Sequence, residues 1–96
     1  MFVLSGARAV EAQKLDFCVA VARGDVDRVD SRETACLLLT AAAVVVRHSA
    51  VAKRLESVGK AFLGADQMTF SEAAEVCSVR DFSRFRHMLE RRLFAA

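Results

Sequence analysis

The side chains able to do chemistry are few and far apart. Two histidines, His48 and His87, and three cysteines, Cys18, Cys36 and Cys77, are the soft ligands and nucleophiles of this 96-residue chain. A structural zinc site takes cysteine and histidine in closely spaced pairs. Here the cysteines are widely separated, and neither histidine has cysteine or carboxylate partners at ligand spacing. Serine, histidine and aspartate all occur, but no pattern orders them as nucleophile, base and orienter. No glycine-rich phosphate loop is present. The expectation is a chain without catalytic residues, metal, cofactor or small-molecule substrate. Each cysteine lies in an apolar, helix-like setting, which reads as a buried free thiol. Free thiols in odd number fit a reducing compartment, cytosol or nucleus.

Binding chemistry rests on arginine. Net charge is only +2, but residues 80–92 carry Arg80, Arg84, Arg86, Arg91 and Arg92 against Asp81 and Glu90 alone. The basic surplus therefore lies at the C-terminal end. It is either a solvated helix face or a phosphate-binding one, and Arg84 and Arg91 are its candidate DNA contacts.

Helices must position these groups. Proline is absent, glycine occurs four times, and alanine, leucine and arginine are plentiful. Such a composition favours helix. Ser5 is a candidate N-cap for a helix over residues 6–23 with Gly24 as its stop. Residues 24–30 read as an extended loop, and Asp30 can cap the next helix with Glu33 answering in a capping box. Apolar residues then recur in heptad rows: Leu37, Val44, Val51 and Val58, beside Ala41, His48, Leu55 and Phe62, with Leu38, Val45 and Ala52 widening the face. This pattern predicts one long helix over residues 31–63, about 50 Å long at 1.5 Å per residue. Gly59 is its weak point, and Gly64 ends it. Ser71 can cap a short helix reaching about Val79, and Asp81 or Ser83 opens a last helix with Phe82, Phe85, Leu89 and Leu93 on one face and Met88 at its edge. The apolar run at residues 35–46, broken only by Thr40, is too short to span a bilayer, which needs ~20 residues. No secretory signal is visible at the apolar start. A single soluble all-α domain over residues 1–96 is expected, with no membrane partner.

Short helix, loop, long helix, loop, short helix resembles the histone fold, here with an extra C-terminal helix. The first loop, Arg23-Gly24-Asp25-Val26-Asp27-Arg28-Val29-Asp30, is similar to the histone segment ending in Arg-Val-Ser. Thr69-Phe70-Ser71 resembles the end of the second histone loop. The likeness spans roughly residues 9–80. Departures are the longer span between loops, Gln67 and Met68 in place of a basic pair, and Ala74 in place of an acid. The resemblance implies that two chains cross their long helices, with Leu38, Val45, Ala52, Leu55 and Phe62 facing the partner and Phe82, Phe85 and Leu89 packing on a neighbour. It also implies double-stranded DNA as a ligand, with Arg28 entering the minor groove and Arg23 and Thr69 touching phosphate. The acids around Arg28 weaken that last implication, because affinity follows the number of phosphates neutralised.

Three functions are therefore in view. The first is a histone-fold subunit that heterodimerises with another histone-fold protein in a DNA-associated nuclear complex serving transcription, repair or the centromere. The second is a helical adaptor or viral regulatory protein, a bundle of four or five helices gripping a partner protein. The third is a histone-like homodimer that binds DNA by itself, in the cytoplasm if microbial or viral. The first predicts a chain that is insoluble or dimeric alone. The second predicts a stable monomer with the long helix broken at Gly59.

Overall fold

The computed structural model describes residues 7–94, with side chains from residue 11. Within that range the chain is all-helical: α1 (Ala7–Arg23), α2 (Arg32–Val44), α3 (Ser49–Leu63), α4 (Phe70–Val76) and α5 (Phe82–Phe94). The expected cap at Ser5 lies outside the described residues.

The helix ends follow from local chemistry. Gly24 takes φ +87° after α1. Its N–H reaches Val21 O at 3.1 Å, and the Asp25 N–H reaches Ala20 O at 2.9 Å. This paired closure needs a left-handed residue, which glycine adopts without a Cβ penalty. Ser31, one residue beyond the expected Asp30, caps α2 by accepting from the Thr34 N–H at 3.2 Å. Thr69 caps α4, rather than Ser71: its hydroxyl accepts from the Glu72 N–H at 3.1 Å. The Glu72 carboxylate accepts the Thr69 N–H in return at 3.0 Å, which completes a capping box. The Thr69 backbone and side chain hold that carboxyl below its ordinary pKa. Asp81 accepts the Arg84 N–H at 3.0 Å and opens α5.

The long central helix expected over residues 31–63 is two helices, α2 and α3, joined by a tight turn at residues 45–48. Three successive valines, Val44, Val45 and Val46, lead into the turn. Branching at Cβ stiffens χ1 against the preceding turn and lowers helix propensity. The two halves fold back and make the most extensive helix pair in the chain.

Gly59 is not where the helix breaks. It lies inside α3 at the α2 contact, and a Cβ built there would stand 2.9 Å from Ala35 O and 3.3 Å from Leu39 Cδ2. The residue read as a weakness is the gap through which the two helices approach.

Folding back gives α2 neighbours on all sides, for it packs on α1, α3, α4 and α5. Ala35, Cys36, Leu37, Leu38, Thr40, Ala41 and Ala42 are all buried along it. Thr40, the polar residue among them, donates to Cys36 O at 2.9 Å and is thereby satisfied. Around α2 the core is completed by Leu15, Cys18 and Val21 of α1, Leu55 and Val58 of α3, Ala73 of α4, and Phe85 and Leu89 of α5. The radius of gyration is 12.6 Å, as expected for a self-contained domain, about 13 Å for a hundred residues. The apolar residues of the helices are thus largely used in the chain's own core.

Gly59→Ala tests the close approach. Helix propensity alone favours alanine by ~1 kcal/mol. We expect the opposite sign, a loss of about 1–3 kcal/mol from overpacking against backbone, read as a lower midpoint in urea. An unchanged or raised midpoint would show that the α2–α3 gap is looser.

Candidate functional site

Placement of the expected site residues divides them sharply. Leu38, Val45, Leu55 and Leu89 are fully buried, and Ala52 and Phe85 are nearly so, all inside the chain's own core. They are covered by neighbouring helices of the same chain, whereas the histone resemblance places them against a partner. Phe62 and Phe82 remain exposed, at 43% and 38%.

The candidate DNA contacts are partly engaged within the chain. Arg23 donates to Arg92 O at 3.3 Å. Arg84 Nε lies 3.3 Å from Glu11 Oε1. The Thr69 hydroxyl is occupied by its cap. Arg28 and Arg91 are exposed. Among the described residues, no hydrogen bond or ion pair joins any two of these five. Arg92, beside them on α5, pairs with Asp16. The start of α2 meets the second loop: Arg32 Nη2 stands 3.9 Å from Asp66 Oδ2.

Other cations serve as helix caps. Lys14 Nζ donates to Cys77 O at 2.7 Å, at the end of α4. Arg54 Nε donates to Val21 O at 2.8 Å, in the last turn of α1. A cation at a helix C-terminus meets unsatisfied carbonyls and the negative end of the dipole.

The histidine and thiol chemistry is structural. His48 Nε2 lies 3.0 Å from Glu90 Oε2, and its ring stacks on Phe94 with centroids 3.9 Å apart. The pair ties the α2–α3 turn to the far end of α5. Cys18, Cys36 and Cys77 are free and buried. Burial, then Cys77, pushes the Cys18 thiol up to about 12. Burial and Cys77 likewise raise Cys36, and nearby Arg32 lowers it only in part. Cys18 and Cys36 so placed stay protonated at neutral pH and are poor nucleophiles. Among the described residues, no group of three histidine, cysteine or acidic side chains could hold a metal. No helix there is long and apolar enough to cross a membrane.

A groove lies between the α2–α3 turn and the start of α5. It measures about 290 Å³ and is lined by Ala43, Val44, Val46, Arg47, Phe82 and Arg86, with Ser83. Val46 is 70% exposed, the largest value among the exposed large apolar side chains. The geometry comes from helix periodicity. Phe82, Arg86, Glu90 and Phe94 follow at intervals of four and so share one face of α5. Glu90 and Phe94 take His48; Phe82 and Arg86 are left to wall the groove. Phe70 of α4 supports Phe82 from behind, with ring centroids 4.8 Å apart.

Of this set, sequence reasoning had singled out Phe82 and noted Arg86 only as one of a charge run. Val46 was missed. The signal was present: its heptad row continues into Lys53 and Lys60, so it belongs to the wet side.

No protein-family model matches this chain, and no curated protein or solved structure matches it either.

The thiol burial has a direct check. With a disulfide-exchanging chromogenic reagent in native buffer at pH 8, all three cysteines should react slowly, and together on denaturation. One thiol reacting at once under native conditions would overturn the buried placement.

Proposed function

We propose that this chain is a helical adaptor: a self-contained five-helix bundle that binds a partner protein through the groove between the α2–α3 turn and α5. The observation that carries this reading is Val46. A valine held 70% exposed at a tight turn, beside an exposed phenylalanine and two arginines, contributes little to the chain's own core. Single exposed apolar residues are ordinary, but a cluster with a polar rim marks an interaction surface.

The histone-fold heterodimer in a DNA-associated nuclear complex is supported by the likeness of the Arg28-Val29-Asp30 loop. It needs an uninterrupted central helix and a free apolar face for the partner's helix. The turn at residues 45–48 and the burial of Leu38, Val45 and Leu55 count against both needs. Direct duplex binding, as partner subunit or as homodimer, is further weakened because Arg84 and Arg92 already hold Glu11 and Asp16. Fewer free cations release fewer counterions.

Light scattering over a concentration series separates these functions. The adaptor reading expects a folded monomer of 10.5 kDa. Val46→Asp should keep the fold, with stability within about 0.5 kcal/mol of wild type as for other surface changes. Val45→Asp, one residue away but buried, should unfold the chain. A stable dimer that Val46→Asp dissociates would overturn the adaptor and make this face a self-interface.

A further inference from the structure

We infer that the occupant of the groove is an acidic peptide segment carrying one or two large apolar anchor residues. This deepens the adaptor reading and rests on it. The chemistry of the lining selects the class. The apolar lining, Ala43, Val44, Val46 and Phe82, favours an apolar side chain over a bare phosphate or a sugar. At about 290 Å³ the space is at the lower limit for a small-molecule pocket, roughly 300 Å³ and upward. It is large enough for one or two side chains.

The rim selects the charge. Arg47 and Arg86 stand at the same groove, and among the described residues neither pairs with a carboxylate. This differs from the other side of α5, where Arg84 holds Glu11 and Arg92 holds Asp16. Glu90 is one helical turn from Arg86 and would be its natural intrahelical partner. It is drawn instead to His48 at 3.0 Å. The His48–Glu90 tie therefore does two things: it holds the turn against α5, and it leaves the Arg86 guanidinium open. Two open guanidiniums beside an apolar floor match carboxylates placed next to an apolar anchor, because planar arginine pairs with carboxylate in a two-pronged geometry. Support of Phe82 by Phe70 keeps one wall in place before binding, which lowers the ordering cost.

The test is selection of the full chain against a phage-displayed library of random peptides. Fluorescence anisotropy follows on the selected sequences, with Val46→Asp and the double variant Arg47→Glu/Arg86→Glu. The expected peptides carry a leucine, isoleucine or aromatic residue flanked by aspartate or glutamate. Each variant should weaken them by about tenfold or more, the scale of a lost buried-rim interaction, while its thermal midpoint stays near that of wild type. Lysine-for-glutamate versions of the same peptides should fail on wild type and recover part of their binding on the arginine-to-glutamate variant. Selected peptides with neutral or basic flanks that still depend on Val46 would overturn the acidic class and leave the adaptor standing. No enrichment over a scrambled library, or peptides indifferent to both variants, would overturn the groove as a site and the adaptor with it. Self-association abolished by Val46→Asp would assign the groove to a second copy and equally overturn the peptide.

Discussion

The fold turns on a helix that is buried through most of its length. From Ala35 to Ala42 nearly every residue of α2 is buried, and the stretch is apolar all round. Such a helix must be enclosed, by another chain or by its own. A continuous rod over residues 31–63 could not be wrapped by what is left of a chain this short. Bending the rod at residues 45–48 halves its length and supplies its own second half as cover. Once α3 lies against α2, the remaining sides are closed by α1, α4 and α5.

Enclosure also decides where the charges go. Lys14, Arg23 and Arg54 each reach a backbone carbonyl in the last turn or cap of a neighbouring helix. Arg84 and Arg92 hold carboxylates of α1. These cations belong to the tertiary structure and act between helices. What is left for an outside ligand is a smaller and differently placed set than the formal charge suggests. Arg47 and Arg86 stand out because they flank apolar surface.

Helix stops were legible because they depend on local chemistry. Gly24, Gly64 and Asp81 act within a few residues of themselves, and each ends or opens a helix as its type dictates. All-α character was legible for the same reason. The turn at residues 45–48 was not. Heptad rows such as Leu37–Val44–Val51–Val58 record only that both halves have an apolar face. A straight helix facing a partner and a hairpin facing itself satisfy that record equally. Gly59 illustrates the limit: its low propensity was visible, but the carbonyl of Ala35 opposite it was not. The valine triplet was the available cue, and it weighs little against a long periodic pattern. The groove was illegible as a unit, since its walls come from residues about forty positions apart.

That separation in sequence ties the groove to the integrity of the bundle. The α2–α3 pair joins neighbours along the chain, at small loop-closure cost, whereas the tie from His48 to Glu90 spans 42 residues. Closing a contact of longer sequence separation carries the larger entropy cost. The groove exists only where α5 is docked against the turn, and it is lost when α5 lifts away. A ligand that bound only the docked form would hold α5 in place.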